Sequence, residues 1–423
     1  MSASQAPIEA VPLESLDLVG PDTYARHGYP HAAWARLRRE APIFWCAPGG
    51  DCTPFWAVTK HADIVRISRQ PKLLQNGPRL AVFPEGKPPK ERIARHLLNM
   101  DPPEHASYRK LASYRFTPRA IAALRPEVER IARDLLDGLH AESPEGEVDF
   151  VERVSAPLPL AVLCDLFGVP RSDWEMLFRW TNQTVGSGDP EYQVESGGGR
   201  ETASQARLQL FEYFMRMAQE RRSKPTDDIT SVLAHARLDG GAPVPPFELL
   251  SYYFLLVIAG NETTRNAMSG GLLALIENPG ELAKLRANPH LVERAVEEIV
   301  RWTTPVIQFC RTATQDLEIR GQKIRAGQSL CLFYPSANRD EDVFDAPFAF
   351  RADRHPNPHL GFGIGEHFCL GANLARLELR VLFRELARRL VHAELAAPVE
   401  RLRSSFLGGV KHMRIRYRLA PAA

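Results

Sequence analysis

Apolar residues return at helical spacing along much of this chain. In the clearest run they recur every three or four positions, at Ile121, Leu124, Val128, Ile131, Leu135 and Leu139. This spacing places them on one face and predicts one long amphipathic helix from 121 to 139. Trp34–Leu37 and Ile64–Ile67 predict shorter helices nearer the start.

A longer stretch without proline begins after Pro245–Pro246 and continues to about Glu277, just before Asn278–Pro279. At ~1.5 Å per residue, a helix of this length would span ~45 Å. Apolar residues surround it on nearly every side between Phe254 and Ile258, which is typical of a buried central helix. Two further helices are predicted, at Leu291–Trp302 and Ala372–Leu390.

Short β-branched and aromatic runs indicate a smaller β part. Pro42–Trp45 and Phe55–Thr59 predict a strand pair around the Pro48–Gly50 turn. Leu317–Ile319 and Ser329–Phe333 predict two more strands. Because internal repeats and an obvious linker are both missing, we expect a mainly α fold with a minor β part. Its single domain would comprise residues 21–423, after a flexible N-terminal tail of residues 1–20.

Two loop regions are open to two interpretations. Asn76–Lys90 is rich in proline, glycine and basic residues, and it carries Leu80, Val82 and Phe83. Gly186–Gly199 has several glycines. Each is either a connector, which is the commoner case, or a mobile lid over a ligand site.

Composition narrows the class of protein. The 423 residues are 44% hydrophobic and 25% charged, with a net charge of +2. These values are typical of a globular protein and give no reason to expect nucleic acid or a membrane as partner. Met1–Val19 lacks the features of a signal peptide, and the longest near-apolar run, Tyr252–Ala259, is far shorter than the ~18 residues of a membrane span. We therefore expect a cytoplasmic monomer.

One of the six cysteines stands in an unusual setting. Cys369 lies in the segment Phe362–Gly371, which contains three glycines and comes directly before a predicted helix. Glycines permit tight turns and the close approach of a flat ligand. A helix N-terminus offers free N–H groups that stabilise a thiolate. The segment is therefore suited to presenting an anionic sulfur to a metal.

A second segment, Ala259–Thr264, interrupts the apolar central helix. Gly260 and the threonines are poor helix formers, and a threonine hydroxyl can bond back to a carbonyl one turn earlier. Glu262 is costly among apolar neighbours unless it is paired or functional. A satisfied polar turn would be the alternative interpretation.

Together these segments resemble the cytochrome P-450 family, over about Trp34 to Tyr417. The resemblance implies haem b as cofactor, with Cys369 as the metal ligand. Further cofactor contacts carried over by position are His105, Arg109, Ala259, Gly260, Arg311, Phe362, Gly363, His367 and Gly371. Among these, His105, Arg109, Arg311 and His367 would hold the haem propionates, because fixed cations suit carboxylates.

The resemblance also implies roles in catalysis and stability. Glu262 would relay protons, and Thr263 would hydrogen-bond dioxygen or a water beside it. Glutamate stands where the family often has aspartate. Glu298, Arg301 and Arg354 would form a structural cluster behind the haem, although a Glu–Arg pair three residues apart is usually an ordinary surface pair.

The implied reaction is insertion of one oxygen atom from O2 into a C–H bond of a lipophilic molecule. The expected pocket wall is Leu80, Val82, Phe83, Ala259, Val306, Ile307 and Phe309, with Gln308 as its polar group. At finer grain, three segments resemble bacterial members that hydroxylate terpenoid alcohols such as linalool, alkyl chains or steroid side chains: Ala259–Asn266, Ser336–Asp340 and Asn357–Phe362.

Electrons are expected from a separate ferredoxin and its NAD(P)H-dependent reductase. Five arginines of the last helix are candidates for docking an acidic ferredoxin, or else form an ordinary solvated face: Arg376, Arg380, Arg384, Arg388 and Arg389. Two other functions stay open, a haem peroxygenase and a non-catalytic haem sensor. Either would make less use of Glu262 and Thr263.

Overall fold

The computed structural model describes residues 8–50, 52–83, 95–186, 188–194 and 198–422. Helices dominate it. In chain order they are α1 Pro21–His27, α2 His31–Glu40, α3 His61–Ser68, α4 Glu104–Ser113, α5 Pro118–Ala122, α6 Arg125–Glu142, α7 Pro157–Phe167, α8 Trp174–Val185, α9 Gly198–Ser223, α10 Ile229–Ala234, α11 Pro246–Glu277, α12 Pro279–Ala287, α13 Val292–Thr303, α14 Tyr334–Ala337 and α15 Ala372–Arg389. Within these ranges, none of the helices combines the length and the apolar character needed to cross a bilayer.

The strands are short. They are β1 Ile43–Cys46, β2 Phe55–Val58, β3 Leu74–Gln75, β4 Glu145–Asp149, β5 Gln308–Ala313, β6 Leu317–Ile319, β7 Gln322–Ile324, β8 Ser329–Phe333, β9 Leu390–Leu395, β10 Glu400–Arg401, β11 Val410–His412 and β12 Arg414–Leu419. The largest sheet has the order β1-β2-β8-β5-β3, in which only β2 and β8 are parallel. β4, β12 and β9 form a second sheet, while β10 pairs with β11 and β6 with β7.

The long helix α11 is the centre of the molecule. It packs against α7, α9, α13 and α15, and most of its side chains are buried. A helix that is apolar nearly all round is stable only when neighbours cover most of its faces, as these helices do. The predicted central helix and the mainly α fold with a minor β part are both confirmed.

The single helix predicted from 121 to 139 is wrong in one respect. The chain forms two helices there, because α5 ends at Ala122 and α6 begins at Arg125. Pro126, in the first turn of α6, has no N–H to donate to the carbonyl of Ala122. Apolar spacing continues across the break, so periodicity alone could not reveal it.

Part of the predicted N-terminal tail packs on the body of the molecule. Leu18 and Val19 are buried, and Arg36 of α2 donates a 2.6 Å hydrogen bond to the carbonyl of Ile8. Packing therefore does not change at residue 20, and the expected domain boundary stays a prediction. Of the two predicted loop regions, positions 84–90, 187 and 195–197 lie outside the described residues.

Candidate active site

The segment around Cys369 is a tightly bonded loop that leads into α15. The Cys369 N–H donates to the carbonyl of Phe362 at 2.9 Å. Gly363 and Gly365 have φ values of 69° and 80°, in the left-handed region that favours glycine. A Cβ on Gly365 would lie 2.5 Å from the carbonyl oxygen of Ser68 in α3, so the loop can sit against α3 only without that side chain.

This loop turns the Cys369 thiol into a cavity rather than toward bulk solvent. Phe362, Gly363, His367 and Gly371 line the same cavity. Burial raises the pKa of Cys369, opposed by a hydrogen bond from the Gly371 N–H. A thiol that lines a cavity and has an N–H aimed at its sulfur is suited to becoming a metal-bound thiolate, since a metal supplies the missing positive charge.

Four cationic or potentially cationic side chains meet at one end of the cavity. The rings of His105 and His367 lie 4.1 Å apart, and the Nε2 atoms of both are buried without a hydrogen-bond partner. Arg109 donates to the Phe368 carbonyl at 2.7 Å, and Arg311 to the Cys310 carbonyl at 2.8 Å. Their remaining N–H groups leave this end of the cavity suited to carboxylates.

Burial also determines the charge of the two histidines. It lowers the pKa of His105, and it is the largest cause that lowers the pKa of His367 to about 2. Both are therefore neutral near pH 7 and available as hydrogen-bond donors. The arginines supply the positive charge at this end of the cavity.

On the opposite side, α11 contributes Ala259, Gly260, Thr263 and Thr264 to the cavity. The Thr263 hydroxyl donates to the Ala259 carbonyl at 2.7 Å, the back-bond expected of a threonine inside a helix. A Cβ on Gly260 would lie 2.9 Å from Leu163, so the glycine lets α7 approach closely. The helix continues unbroken through this segment.

Glu262 does not line the cavity. It is almost fully buried toward α8, where it forms an ion pair with Arg265 one turn later. Arg265 in turn donates to the Asn182 side chain at 3.0 Å. Adjacent helical residues point ~100° apart, so Thr263 faces the cavity while Glu262 faces this polar cluster.

Only some residues of the predicted pocket wall line this cavity. Leu80, Ala259, Val306 and Phe309 line the cavity, whereas Val82, Phe83 and Ile307 do not. Val82 and Ile307 are buried in a separate apolar cluster on the far side of the sheet. Phe83 is half exposed and packs against Phe406, with ring centroids 5.5 Å apart.

Gln308 is not the polar group of the pocket. Its side chain accepts from the Val82 N–H at 3.1 Å and donates to the Val82 carbonyl at 2.9 Å. Successive residues of a strand point to opposite faces, so Phe309 and Arg311 of β5 face the cavity and Gln308 faces away. The alternation of residues along β5 does not by itself decide which face meets the cavity.

Several residues that line the cavity were not predicted from the sequence. Leu163, Phe167, Phe406 and Leu407 reach the cavity from α7 and from the chain before β11. Glu378 of α15 also lines it, buried and with one carboxylate oxygen unpartnered. Burial raises the pKa of Glu378 well above its ordinary value, which favours the neutral form of this carboxyl group. Its position within an apolar helical stripe was a signal that could have identified it.

The three residues of the expected structural cluster do come together. Arg301 makes two 2.7 Å hydrogen bonds to the Glu298 carboxylate, and Arg354 donates to it at 3.0 Å. All three are buried, and both arginines also donate to loop carbonyls, including that of Ala349. A buried charge is tolerated where it is paired and fully hydrogen-bonded, as here.

The arginines of α15 are mostly paired with acidic residues. Arg376 makes two 2.7 Å hydrogen bonds to Glu297, and both Arg380 and Arg384 pair with Glu293 of α13. Arg388 pairs with Glu385, and the buried Arg389 with Asp137. This face is therefore less positive than the sequence suggests.

Known proteins resemble this chain over most of its length. The family model for cytochrome P-450 matches residues 23–393. The chain belongs to the cytochrome P-450 family. It is 39% identical to the methyl-branched lipid omega-hydroxylase of Mycobacterium tuberculosis, over 96% of this chain and 94% of that one. It is 40% identical to the steroid C26-monooxygenase of Mycolicibacterium smegmatis, over 90% and 89% of the two chains.

A solved relative gives the same result. A Mycobacterium marinum cytochrome P-450 in complex with pseudoionone is 36% identical, with a TM-score of 0.89 over 96% of this chain and 99% of that one. The expected family, enzyme class and haem b cofactor are thus confirmed. Cytochromes P-450 bind haem through a cysteine thiolate. The inward-facing Cys369 and the unpartnered His105 and His367 nitrogens fit that group.

Proposed function

We propose that this cytochrome P-450 hydroxylates a lipophilic small molecule: a terpenoid, a steroid side chain or an alkyl chain. O2 supplies the oxygen atom, and a separate ferredoxin with its NAD(P)H-dependent reductase supplies the electrons. The observation that carries the proposal is the cavity between the Cys369 loop and α11. Its walls are mainly leucine, isoleucine, valine and phenylalanine, and its cations are gathered at one end.

In this proposal Cys369 binds the haem iron, and four side chains hold the propionates: His105, Arg109, Arg311 and His367. Phe362, Gly363 and Gly371 let the loop approach the haem on one side, as do Ala259 and Gly260 on the other. When bound, the haem supplies the activation of O2 that amino-acid side chains cannot perform. Glu298, Arg301 and Arg354 brace the segment before the loop.

Thr263 and Glu262 have different roles in proton transfer: Thr263 binds a water, and Glu262 exchanges protons with that water. The Thr263 hydroxyl proton is engaged by the Ala259 carbonyl, so its oxygen is free to accept a hydrogen bond from a water in the cavity. Glu262 exchanges protons with that water by leaving Arg265 and turning toward the cavity. The acid is thereby kept apart from the cavity until it is needed.

The substrate class follows from the walls. Leu80, Leu163, Val306, Phe309 and Phe406 offer a ligand little but apolar surface. Burial of apolar surface contributes ~25 cal/mol per Å² before association costs, so an uncharged hydrocarbon skeleton needs no ionic anchor. The names of the relatives point the same way, toward lipids and steroids.

For the redox partner, we propose that the face formed by α15 and the Cys369 loop receives an acidic ferredoxin. Support comes from Arg380, Arg384 and Arg388, which are partly exposed although each shares a carboxylate. A partner's carboxylates would compete with Glu293 for Arg380 and Arg384, and with Glu385 for Arg388. Reduction should consequently slow as ionic strength rises.

The substrate proposal is tested by titrating the purified haem protein with a panel of terpenoids, steroids, fatty acids, sugars, amino acids and nucleotides. The spin-state shift of the Soret band measures binding. The lipophilic compounds should give the tightest shifts. Tightest binding by the sugars, amino acids or nucleotides would contradict the proposal and leave the haem assignment intact.

A matched pair of variants locates the binding site. Val306→Phe adds volume inside the cavity, whereas Ile307→Val changes the next residue, which faces away. Overpacking costs ~1–3 kcal/mol, so Val306→Phe should weaken lipophilic ligands by about tenfold. Ile307→Val should leave their affinity nearly unchanged at equal haem content. Equal effects of the two variants would place the substrate elsewhere.

A further inference from the structure

Glu297 of α13 and Arg376 of α15 form an ion pair beside the Cys369 loop. Arg376 makes two 2.7 Å hydrogen bonds to the Glu297 carboxylate. Its guanidinium carbon lies 4.4 Å from the centroid of the Phe362 ring. Phe362 lines the haem cavity and Arg376 does not, so the guanidinium is held behind this ring. The Arg376 side chain is only 22% exposed, which leaves it little surface to offer a partner protein.

His359 fixes the orientation of the Glu297 carboxylate. Its Nδ1 accepts from the Gly361 N–H at 3.2 Å, so the ring proton is on Nε2, which donates to Glu297 at 3.1 Å. Burial alone would raise the pKa of Glu297, but hydrogen bonds from Arg376 and His359 outweigh it and lower this pKa to about 2. The carboxylate therefore stays ionised near neutral pH and holds Arg376 in one place.

The ion pair places a fixed positive charge next to the residues that present the cysteine. The Phe362 carbonyl accepts from the Cys369 N–H at 2.9 Å, so the ring that Arg376 contacts and the thiol belong to one hydrogen-bonded loop. Burial raises the pKa of Cys369, and the positive charge of Arg376 is one of the influences that oppose it. Charges interact more strongly here than in water, because the cavity walls are mainly apolar.

We propose that Arg376, held by Glu297 and His359, is a positioning residue that determines how readily haem bound to Cys369 accepts an electron. Reduction adds one electron to the ferric iron, which becomes ferrous, and the ferredoxin proposed above is the donor. A nearby cation stabilises the added negative charge, so Arg376 raises the midpoint potential. The negative charge of Glu297 by itself lowers it. This inference rests on the proposed binding of the haem iron by Cys369.

A second ion pair between the same two helices provides the comparison. Arg380, one turn after Arg376, pairs with Glu293, one turn before Glu297, at 2.5 Å. Four residues of helix place Arg380 ~6 Å farther along α15 from the Cys369 loop. The two pairs thus contain the same charges on the same helices at different distances from the loop.

Midpoint potentials of the purified, substrate-free holoenzyme test the proposal, measured with chemical mediators and without ferredoxin. Arg376→Met should lower the equilibrium constant for reduction about tenfold, which is ~59 mV for one electron. Arg376→Lys keeps the charge and should restore most of this loss. Glu297→Gln removes the negative charge and should raise the equilibrium constant about threefold. The carbonyl spectrum of each reduced variant shows whether the thiolate is still bound.

Arg380→Met and Glu293→Gln are the matched controls, because they make the same changes of charge one turn away. Each should alter the equilibrium constant by less than about twofold. A purely structural role of the Glu297–Arg376 pair would loosen the loop in both variants and shift both potentials in the same direction. Shifts of the same sign in Arg376→Met and Glu297→Gln therefore overturn the proposal, as does an equal shift in Arg380→Met.

Two variants still decide the matter if Arg376→Met does not retain haem. A raised potential in Glu297→Gln together with a nearly parental potential in Arg376→Lys supports the proposal. An unchanged or lowered potential in Glu297→Gln overturns it.

Cys369→Ala separates this inference from the proposed haem ligand. If that variant keeps the red-shifted carbonyl band of the parent, the ligand assignment is wrong. If Cys369→Ala loses the band while Arg376→Met has the parental potential, the ligand stands and only the role of Arg376 fails.

Discussion

Single residues determine whether the haem loop can form. Gly365 combines a left-handed backbone with the 2.5 Å approach to Ser68 described above. A side chain at this position would be unfavourable for two reasons: the left-handed backbone conformation and a clash with the Ser68 carbonyl of α3. The glycine is thus required by packing and not only by local turn geometry.

Gly365→Ala should therefore reduce haem incorporation sharply. Strain in the left-handed region alone costs ~1–3 kcal/mol, and the contact with the Ser68 carbonyl adds to it. The ratio of Soret to protein absorbance, with the carbonyl spectrum of the reduced protein, measures the loss. Gly280→Ala is the control, since a Cβ there meets open space in α12. Full incorporation by the Gly365 variant would contradict this account.

Glu378 makes a different single-residue prediction. Its folded pKa lies well above 4.5 because of burial, so above pH 4.5 the unfolded chain releases this proton before the folded protein does. Stability must then fall as pH rises toward the folded pKa, by ~1.4 kcal/mol per pH unit from this group. Glu378→Gln removes that penalty.

The free energy of unfolding of Glu378→Gln, relative to the parent, should consequently improve between pH 5 and pH 7. Urea unfolding at several pH values measures the difference. Glu378→Lys, which places a permanent charge in the same apolar surroundings, should destabilise the protein throughout. A difference between Glu378→Gln and parent that does not vary with pH would show that the carboxyl group is ionised in the folded state.

At the scale of elements, α13 carries two kinds of acid. Glu298 is buried between Arg301 and Arg354, whereas Glu293, one and a half turns earlier, pairs with Arg380 and Arg384 near the surface. Through Arg354, the Glu298 cluster joins α13 to the chain that leads toward Cys369. The ion pairs of Glu293 only add to the contact between α13 and α15.

Glu298→Gln should cost ~3–5 kcal/mol, because it leaves two buried guanidinium groups without their counter-charge. Glu293→Gln, on the same helix, should cost at most ~1 kcal/mol. Thermal unfolding and haem retention of the two variants can be compared directly. Similar melting temperatures would mean that the buried cluster has no structural role.

At the scale of the whole molecule, the sequence predicted what local patterns control. α11, α13 and α15 are long enough for their composition and spacing to define them, and the loop before α15 is a contiguous motif. Their prediction succeeded for this reason. Val82, Ile307 and Gln308 were misplaced because the face of β5 that meets the cavity depends on how the sheet packs, which spacing does not encode.

Long-range packing explains the residues that were missed. Leu163 and Phe167 look like ordinary core residues of α7 until α7 lies across α11 at Gly260. Phe406 is about 100 residues from Ile307 in the sequence but lies beside it in the fold. The Ile307 N–H donates a hydrogen bond to the Phe406 carbonyl. Residues 188–191 contact residues 403–412 in the same way. Such contacts appear only once the tertiary structure is known.

The haem cavity draws its walls from residues as far apart as Leu80 and Leu407, and the loop that carries Cys369 ends at Gly371. A ribosome adding ~5–20 residues per second needs roughly 15–60 s to go from Leu80 to Gly371. Until then α4 and α11 present an apolar surface that has neither its cofactor nor its opposite wall. Haem insertion is therefore a late event in biosynthesis, and expression that outpaces haem supply should accumulate aggregation-prone chains.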